Sequence, residues 1–408
     1  MAKSGMRVVR FVAIAVSLIL AVYKLSNQQV DLSSYVASKK PSVVGTTGSS
    51  KEAVSEPEKE VDTKASGMGS GLTDQHPVST APYQRANATF VTLARNEDLL
   101  SLMLSIQGVE DRFNDKYHYS WVFLNDKEFS DEFKEATSSM VSGETFYGLI
   151  PKEHWSYPEW IDQEQAALTR EKMAGIIYGG SATYRHMCRY ESGFFWRHPL
   201  LDQFKYYWRV EPDVKFHCDI NYDLFKFMED NKKSYGWTIS LPEYIETIPT
   251  LWDTTKDFLA KNPQYKNENS LIDFVSDDGG ETYNRCHYWS NFEIADLDFW
   301  RSDAYRAYFD HLDHAGGFFY ERWGDAPVHS IAASLFLDKS QVHFFEDVGY
   351  YHNPFNSCPT TKEDRLKLRC TCKVDEIFTW KDYSCTSKFY NAQGMQRPKG
   401  WYELSDQR

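Results

Sequence analysis

The residues best placed for chemistry are two carboxylates separated by one proline. Residues 206–213 read Tyr-Tyr-Trp-Arg-Val-Glu-Pro-Asp, so an apolar run typical of a buried strand ends at Glu211, Pro212 and Asp213. In open α/β sheets, ligands bind beyond the carboxyl ends of the strands. Mn²⁺ and Mg²⁺ take carboxylate ligands together with waters and substrate phosphates. The triplet therefore predicts either a divalent-cation site or a strand-ending turn with solvated acids.

A second acidic triplet, Asp296-Leu-Asp298, competes for the same role. Asp298 and Ser302 precede an amphipathic run over residues 305–312, so helix capping explains them without a metal. We therefore expect the cation at Glu211.

Glu293 is a candidate for chemistry at a sugar carbon. It lies in the mixed polar and aromatic segment 283–294, among Trp289, Phe292 and Ile294, which predicts a partly desolvated carboxylate. Such a group could act as a nucleophile or stabilise positive charge at an anomeric carbon. The alternative is a buried acid paired with Arg285 or another base.

His352 follows the predicted strand 342–345 and lies in what we interpret as a loop. There it could ligate a metal or satisfy a turn. The sequence has neither a G-x-x-x-x-G-K-[ST] loop nor a G-x-G-x-x-G loop after its first strand, so nucleotide phosphates need a cation instead.

Elements that could position these side chains follow from hydrophobic periodicity. A strand, a helix and a second strand are predicted at residues 87–95, 96–109 and 119–124, which indicates a β-α-β unit. The run 206–210 fits the same sheet. Further helices are predicted at 161–173, 183–196 and 220–229, and further strands at 235–241 and 342–345. We expect an α/β fold with a mixed, mostly parallel sheet.

Composition narrows the functional class. The chain has 408 residues and a formal net charge of −13, which argues against sequence-independent nucleic-acid binding. Aromatic residues make up 16% of the chain and suit stacking against sugar faces as well as dense packing.

The N-terminal quarter predicts a membrane anchor and a stem. Residues 8–25 are mostly apolar and carry only two charges, Arg10 and Lys24, and the basic residues before them favour a cytosolic tail over 1–7. A cleaved signal peptide is the alternative. Residues 26–82 are rich in Ser, Lys, Glu, Gly and Thr and predict a disordered stem before a lumenal catalytic domain over 83–408.

The cysteines support an oxidising compartment. All seven follow the stem, and we expect disulfides near the C-terminus, involving Cys358, Cys370, Cys372 and Cys385, rather than a zinc site. The odd number leaves at least one cysteine unpaired, and the pairing stays open. Asn87-Ala-Thr is an N-glycosylation sequon if this side is lumenal.

Taken together, six separated blocks resemble the fungal Golgi α-1,2-mannosyltransferase family, glycosyltransferase family fifteen, across nearly all of residues 86–359. The blocks are Ala94-Arg-Asn96, Tyr184-Arg-His-Met-Cys-Arg-Tyr-Glu-Ser-Gly-Phe-Phe195, Tyr207-Trp-Arg-Val-Glu-Pro-Asp213, Arg285-Cys-His-Tyr-Trp-Ser-Asn-Phe-Glu-Ile294, Arg322-Trp-Gly-Asp-Ala-Pro-Val-His-Ser330 and Gly349-Tyr-Tyr-His352.

The resemblance implies a GT-A-like nucleotide-sugar fold, a GDP-mannose donor and Mn²⁺. By matching motif, Glu211 and His352 would ligate the metal, with Asp213 nearby and acting through water. Glu293 would be the nucleophile or charge stabiliser, and Tyr184 would lie beside the reacting sugar. The donor and acceptor pocket would include Arg95, Arg209, Trp289 and Asp325.

The expected function is retaining transfer of mannose from GDP-mannose to a mannose hydroxyl of O- or N-linked glycans, in mannoprotein biosynthesis. The protein would be a single-pass type II protein of the Golgi membrane. Two alternatives are a mannosylphosphate transferase acting on the same glycans and a non-catalytic glycan-binding or scaffolding protein. Neither the acceptor chain nor the choice between double displacement and front-face attack follows from the sequence.

Overall fold

The structure is a computed structural model that describes residues 83–406. The predicted tail, anchor and stem lie outside the described residues. Over 83–406, no helix has both the length and the hydropathy that a bilayer span requires.

The strands, in chain order, are β1 (Ala88–Leu93), β2 (Ser120–Asn125), β3 (Thr145–Leu149), β4 (Tyr206–Val210), β5 (Lys215–Phe216), β6 (Tyr235–Trp237), β7 (Ser240–Pro242), β8 (Cys286–Tyr288), β9 (Phe292–Asp296), β10 (Val342–Phe344), β11 (Tyr350–His352) and β12 (Phe355–Ser357). The helices are α1 (Leu99–Arg112), α2 (Asp131–Met140), α3 (Gln163–Lys172), α4 (Ala182–Gly193), α5 (Leu224–Asp230), α6 (Leu251–Lys261), α7 (Ile272–Val275), α8 (Leu297–Trp300), α9 (Asp303–Ala315), α10 (Gly317–Tyr320), α11 (Asp325–Phe336), α12 (Lys362–Lys367) and α13 (Thr386–Gln393).

A seven-stranded sheet forms the centre of this region, in the order β10-β6-β9-β4-β1-β2-β3. Neighbouring strands are parallel except at β9, which runs antiparallel to both β4 and β6. The predicted α/β class with a mixed, mostly parallel sheet is confirmed. Because β2 and β4 lie on opposite sides of β1, the strand order reverses there, and the carboxyl ends of β1 and β4 border a crevice.

The two faces of the sheet bury different residues of the same strands. Phe90 and Trp208 pack on the face covered by α1 and α5, whereas Val91 and Tyr207 pack on the face covered by α4, α9 and α11. This alternation is the period of two that a strand imposes on its side chains. Arg209 and Glu293 are register partners across β4 and β9, so both belong to the second face.

Capping side chains explain where several helices begin. Ser181 Oγ accepts a hydrogen bond from the Tyr184 amide at 3.1 Å, and Ser302 Oγ accepts one from the Tyr305 amide at 3.2 Å. Each bond satisfies an amide that lacks a partner within its helix. The predicted capping role of Ser302 is therefore confirmed, and α9 continues from it to Ala315, where Gly316 takes a left-handed φ of +75°.

His352 lies at the end of strand β11, so its predicted position in a loop is wrong. Tyr350 and Tyr351 pair with Phe216 and Lys215 of β5, in a small sheet whose third strand is β12. The sequence suggested a loop because β11 has only three residues before Asn353-Pro354, which is too few for a clear alternating strand pattern. Since β5 follows β4 closely, this pairing brings His352 toward Glu211.

Three disulfides involve the C-terminal segment of the described chain: Cys218–Cys370, Cys286–Cys385 and Cys358–Cys372. Cys188 is free and buried in α4. The expectation of disulfides with one cysteine left over is confirmed. Two of the bridges reach beyond the tail, to Cys218 after β5 and to Cys286 at the start of β8.

Candidate active site

A cavity of about 550 Å³ opens at the crevice predicted by the strand order. Ala94 and Arg95 follow β1, Asp126 follows β2, and Glu211 and Pro212 follow β4; all five line it. The other wall comes from α4, from the segment between β8 and β9, and from the start of α11. This position matches the general rule for ligands in open α/β sheets.

Glu211 and His352 face each other in this cavity. The distance from His352 Nε2 to Glu211 Oε2 is 3.6 Å, and both side chains keep about a quarter of their surface exposed. Adjacent ligands of an octahedral ion with bonds of about 2.1 Å lie about 3 Å apart, so a small movement would let both groups bind one ion. Carboxylate oxygens suit Mn²⁺, and an imidazole nitrogen is a common ligand of first-row transition metals. The pair therefore fits the predicted metal.

Asp213 is placed differently from its two predicted co-ligands. It is exposed, has a left-handed φ of +63°, and donates its amide to the Ser101 carbonyl at 3.4 Å. Asp213 is not among the described residues that line the cavity. Its role through water stays a prediction.

Arg209 is a buried cation that contacts Glu211, one of the two candidate metal ligands. Its guanidinium lies 2.5 Å from Glu211 Oε1, 2.6 Å from Asp325 Oδ2 and 3.8 Å from Glu191 Oε2. Burial opposes ionisation of Glu211, but Arg209 and His352 outweigh it and lower the pKa of Glu211 to about 2. Three carboxylates around one guanidinium leave up to two negative charges, which a divalent cation would balance.

Asp325 is the first residue of α11, and two groups hold its carboxylate. Arg209 and the Ser290 hydroxyl both donate to Oδ2, the latter at 2.7 Å. Burial raises the pKa of Asp325, but Arg209 and His329 outweigh this and lower it below its usual value. The carboxylate thus stands ionised at the cavity wall, at the positive end of a helix dipole.

Glu191 was not predicted as a site residue, although it lies within a quoted block. Its carboxylate is buried in α4 near Arg209, and burial outweighs the attraction of that cation, which raises the pKa of Glu191 to about 7. No periodicity could reveal this, because the signal is the burial of a charge beside a partner 18 positions away in sequence.

Glu293 is the register partner, on β9, of the cavity residue Arg209, but it is not among the described residues that line the cavity. The residue is fully buried and accepts hydrogen bonds from the hydroxyls of Tyr207 and Tyr235, the latter at 2.8 Å. His329 Nδ1 lies 2.9 Å from Glu293 Oε2. Of the two interpretations drawn from sequence, the structure supplies the paired buried acid, with His329 rather than Arg285 as the base. A direct role at the sugar carbon stays a prediction.

Aromatic rings form the outer part of the cavity. Tyr184 stacks on Tyr178, with ring centroids 4.5 Å apart, and the Arg322 guanidinium lies 5.3 Å from the Tyr184 centroid. Burial raises the pKa of the Tyr184 phenol well above its usual value. Trp289 meets His352 edge to face at 4.6 Å. Tyr178 was not predicted; its exposure beside Tyr184 could not be read from a segment without clear periodicity.

The cavity thus brings most of the predicted residues together. Those that line it are Arg95, Tyr184, Arg209, Glu211, Trp289, Asp325 and His352. Arg95 is exposed, and its guanidinium pairs with Asp98 at 2.7 Å. Glu243 and His287 also line the cavity without having been predicted. Glu243 approaches Arg322 to 3.4 Å.

Comparison with known proteins agrees with this geometry. The family described as Glycolipid 2-alpha-mannosyltransferase matches residues 45–394. The chain is 66% identical to glycolipid 2-alpha-mannosyltransferase 1 of Candida albicans over 327 residues, 80% of this chain and 76% of that protein. It is 63% identical to the alpha-1,2 mannosyltransferase KTR1 of Saccharomyces cerevisiae, over 80% of this chain and 83% of the relative.

Solved structures extend the likeness to the fold. Core-mannan synthase A of Aspergillus fumigatus, in a Mn/GDP form, is 43% identical with a TM-score of 0.72, over 78% of this chain and 88% of that one. The mannosyltransferase Ktr4p of S. cerevisiae in complex with GDP is 39% identical with the same TM-score, over 78% and 84%. The predicted GT-A-like fold is confirmed, and the chain belongs to the glycolipid 2-alpha-mannosyltransferase family of glycosyltransferases.

Proposed function

We propose that this protein is an α-1,2-mannosyltransferase that moves mannose from GDP-mannose to a mannose hydroxyl of a glycan, with retention of the α configuration. The convergence of Glu211 and His352 at the carboxyl ends of β1 and β4 carries the proposal. A carboxylate and an imidazole at this crevice can hold the cation that a bound diphosphate would share.

The proposed donor site uses the charges of this cavity. Mn²⁺, when bound by Glu211 and His352, would neutralise the diphosphate and so ease departure of GDP. Arg209 keeps Glu211 ionised and oriented through its 2.5 Å contact. Arg95, at the end of β1, is positioned to reach the nucleotide.

The reaction exchanges one bond to the anomeric carbon for another. The bond to the β-phosphate oxygen breaks, a bond to the acceptor hydroxyl oxygen forms, and the acceptor proton passes to the departing phosphate or to solvent. Tyr184 would lie beside the reacting sugar, while Trp289 and Asp325 shape the space that both sugars occupy. Glu293, which is buried and does not line the cavity, would stabilise developing positive charge from the interior, or act as nucleophile once a local movement exposes it, with the same retained product in either case.

The acceptor surface is aromatic and acidic. Tyr178 and Trp289 can stack on sugar faces, and the carboxylates of Glu243 and Asp325 can accept hydrogen bonds from sugar hydroxyls. This combination suits a neutral mannose-terminated chain, O-linked or N-linked.

We place the enzyme in the Golgi membrane as a type II protein with a lumenal catalytic domain. The basic and apolar residues before residue 26 support this orientation, and three disulfides suit an oxidising lumen.

The test uses the full-length chain purified in detergent. It is incubated with GDP-mannose, MnCl₂ and α-1,2-mannobiose, and the product is analysed by NMR and by its response to mild acid. We expect a neutral, acid-stable trisaccharide with an α-1,2 linkage, and no product when Mn²⁺ is chelated. A charged, acid-labile product would instead identify mannosylphosphate transfer. GDP binding without any turnover on several mannosides would identify a glycan-binding protein.

A further inference from the structure

The buried contacts of Glu293 determine where one proton lies. Tyr207 accepts a hydrogen bond from the Trp300 indole at 3.0 Å, which leaves its own hydroxyl hydrogen for Glu293. Tyr235 donates to the other carboxylate oxygen. A carboxyl that receives several donors is stabilised in its ionised form.

His329 supplies a third contact and faces acceptors on both sides of its ring. Nε2 lies 3.1 Å from the Glu191 carbonyl oxygen, to which it can only donate, and Nδ1 lies 2.9 Å from Glu293 Oε2. A neutral imidazole has one N–H and cannot donate at both nitrogens. Either the ring is an imidazolium, or Glu293 carries the proton. The tyrosine donors favour an ionised Glu293 and hence a charged ring.

The electrostatic surroundings agree. Burial disfavours a charged His329, but Glu293 outweighs it, so the pKa of the imidazole lies above its usual value. Both residues are essentially inaccessible to solvent.

This pair also connects the interior to the cavity wall. His329 lies one turn after Asp325 on the same side of α11, and its two ring contacts fasten that helix to β9 through Glu293 and to α4 through Glu191. At the start of the helix, Asp325 holds Arg209, which in turn contacts the proposed metal ligand Glu211.

We propose that His329 is a positioning residue for mannosyl transfer, and that its imidazolium forms a buried ion pair with Glu293 that fixes α11 and the Asp325–Arg209–Glu211 chain of contacts. The proposal rests on the proposed function only for its kinetic consequence. The ion pair itself can be tested without turnover.

A first measurement addresses the proton. Full-length protein labelled with ¹⁵N-histidine is examined by NMR at pH 7.5, and the His329 signal is assigned by its loss in His329→Gln. We expect two protonated ring nitrogens, and conversion to a single N–H in Glu293→Gln. A neutral ring in the wild-type protein would put the proton on Glu293 and overturn the proposal, even if the enzyme is an active mannosyltransferase.

A second measurement addresses positioning. His329→Gln keeps one donor and removes the charge; misplacement of catalytic groups by about 1 Å can cost about 100-fold, so we expect kcat to fall by roughly 10- to 100-fold. The KM for GDP-mannose should change less than about threefold, because the variant keeps every side chain of the proposed donor site and the misplacement acts mainly in the transition state. Unchanged kcat in a folded His329→Gln protein would also overturn the proposal.

His343→Gln is the matched control. His343 lies in β10 against the rings of Phe227 and Phe345, and burial lowers its pKa to about 3. We expect unchanged kcat in His343→Gln, and a neutral ring for the His343 signal of the wild-type protein. A similar fall in kcat in this control would mean that any partly buried histidine gives the effect, and so would refute a specific role for His329.

Discussion

The acidic triplets Glu211-Pro-Asp213 and Asp296-Leu-Asp298 are similar in sequence and follow neighbouring strands of the central sheet. They nevertheless lie at opposite ends of those strands. The first follows β4 and the second ends β9, and these neighbouring strands are antiparallel. Because β9 runs opposite to the other strands, its carboxyl end lies beside their amino ends, away from the crevice. Strand direction, rather than composition, decides which triplet can meet a ligand.

Their charge partners differ in the same sense. Lys205 contacts both Asp296 and Asp298, at 3.1 and 2.9 Å, and Asp296 also caps α8 by accepting from the Asp298 amide. Both carboxylates of the second triplet therefore already have partners within the protein. Glu211, by contrast, keeps one oxygen toward His352 and the open cavity. A cation site needs carboxylates that the fold has left incompletely satisfied.

Among variants of the two triplets, Glu211→Ala should have the largest effect on activity and on its dependence on metal. It removes a metal ligand and leaves Arg209 with one fewer partner, so we expect kcat/KM to fall by at least about 100-fold, as for loss of about 3 kcal/mol of transition-state stabilisation. GDP affinity, measured by calorimetry with and without Mn²⁺, should lose its dependence on the metal. If Mn²⁺ still strengthened GDP binding in this variant, the assignment of Glu211 would fail.

His352→Ala should act more mildly and in a way that excess metal relieves. One ligand is lost while Glu211 remains, so the Mn²⁺ concentration for half-maximal activity should rise by about 10-fold or more, in the range typical for perturbed metal sites. Activity at saturating Mn²⁺ should partly recover. A variant with unchanged metal dependence would show that His352 is not a ligand.

The pH dependence of thermal stability should have opposite signs for variants of the two triplets. The pKa of Glu211 is lowered to about 2, so its contribution is present above its unfolded pKa near 4.5 and is lost as pH falls toward 2. Burial raises the pKa of Asp296, so that carboxyl instead costs stability as pH rises above its unfolded value near 3.8. The difference in Tm, variant minus wild type, should become more negative with rising pH for Glu211→Gln.

For Asp296→Asn the same difference should become more positive with rising pH, since asparagine keeps the helix cap. Differential scanning calorimetry between pH 3 and pH 6.5 provides the measurement, in metal-free buffer. Equal slopes for the two variants would remove this distinction between the triplets.

Asp298→Asn should have the smallest effect. Its ion pair with Lys205 is exposed, and such pairs contribute about 0–1 kcal/mol. We expect wild-type kcat and Mn²⁺ dependence, and a change in the free energy of unfolding within about 1 kcal/mol. A loss of metal-dependent activity here would reverse the comparison and favour the literal Asp-x-Asp motif as the metal site.

Sequence reasoning located five of the six mutually parallel strands of the central sheet, all but β3. β4 spans the predicted residues 206–210 because an apolar run stops at a proline, an unambiguous local signal. β9 was not predicted as a strand, since Glu293 interrupts its apolar pattern. That carboxylate is tolerated only because Tyr207, Tyr235 and His329 surround it, and these partners come from three other elements.

The candidate site follows the same division. Glu211 and His352 could be predicted because each stands near a strand end and matches a family block. Glu191 and His329 could not, although both lie inside quoted blocks, because a motif does not say which of its residues face inward. Their roles depend on tertiary contacts to Arg209 and Glu293 that no local pattern encodes.

The wide sequence separation of Glu211 and His352 has a consequence during synthesis. Roughly 140 residues lie between them, and at about 5–20 residues per second a ribosome needs about 7–28 s to add these residues. Throughout that interval the nascent chain can present the first carboxylate but not the imidazole. The complete ion-binding pair can therefore form only after residue 352 has been added to the chain.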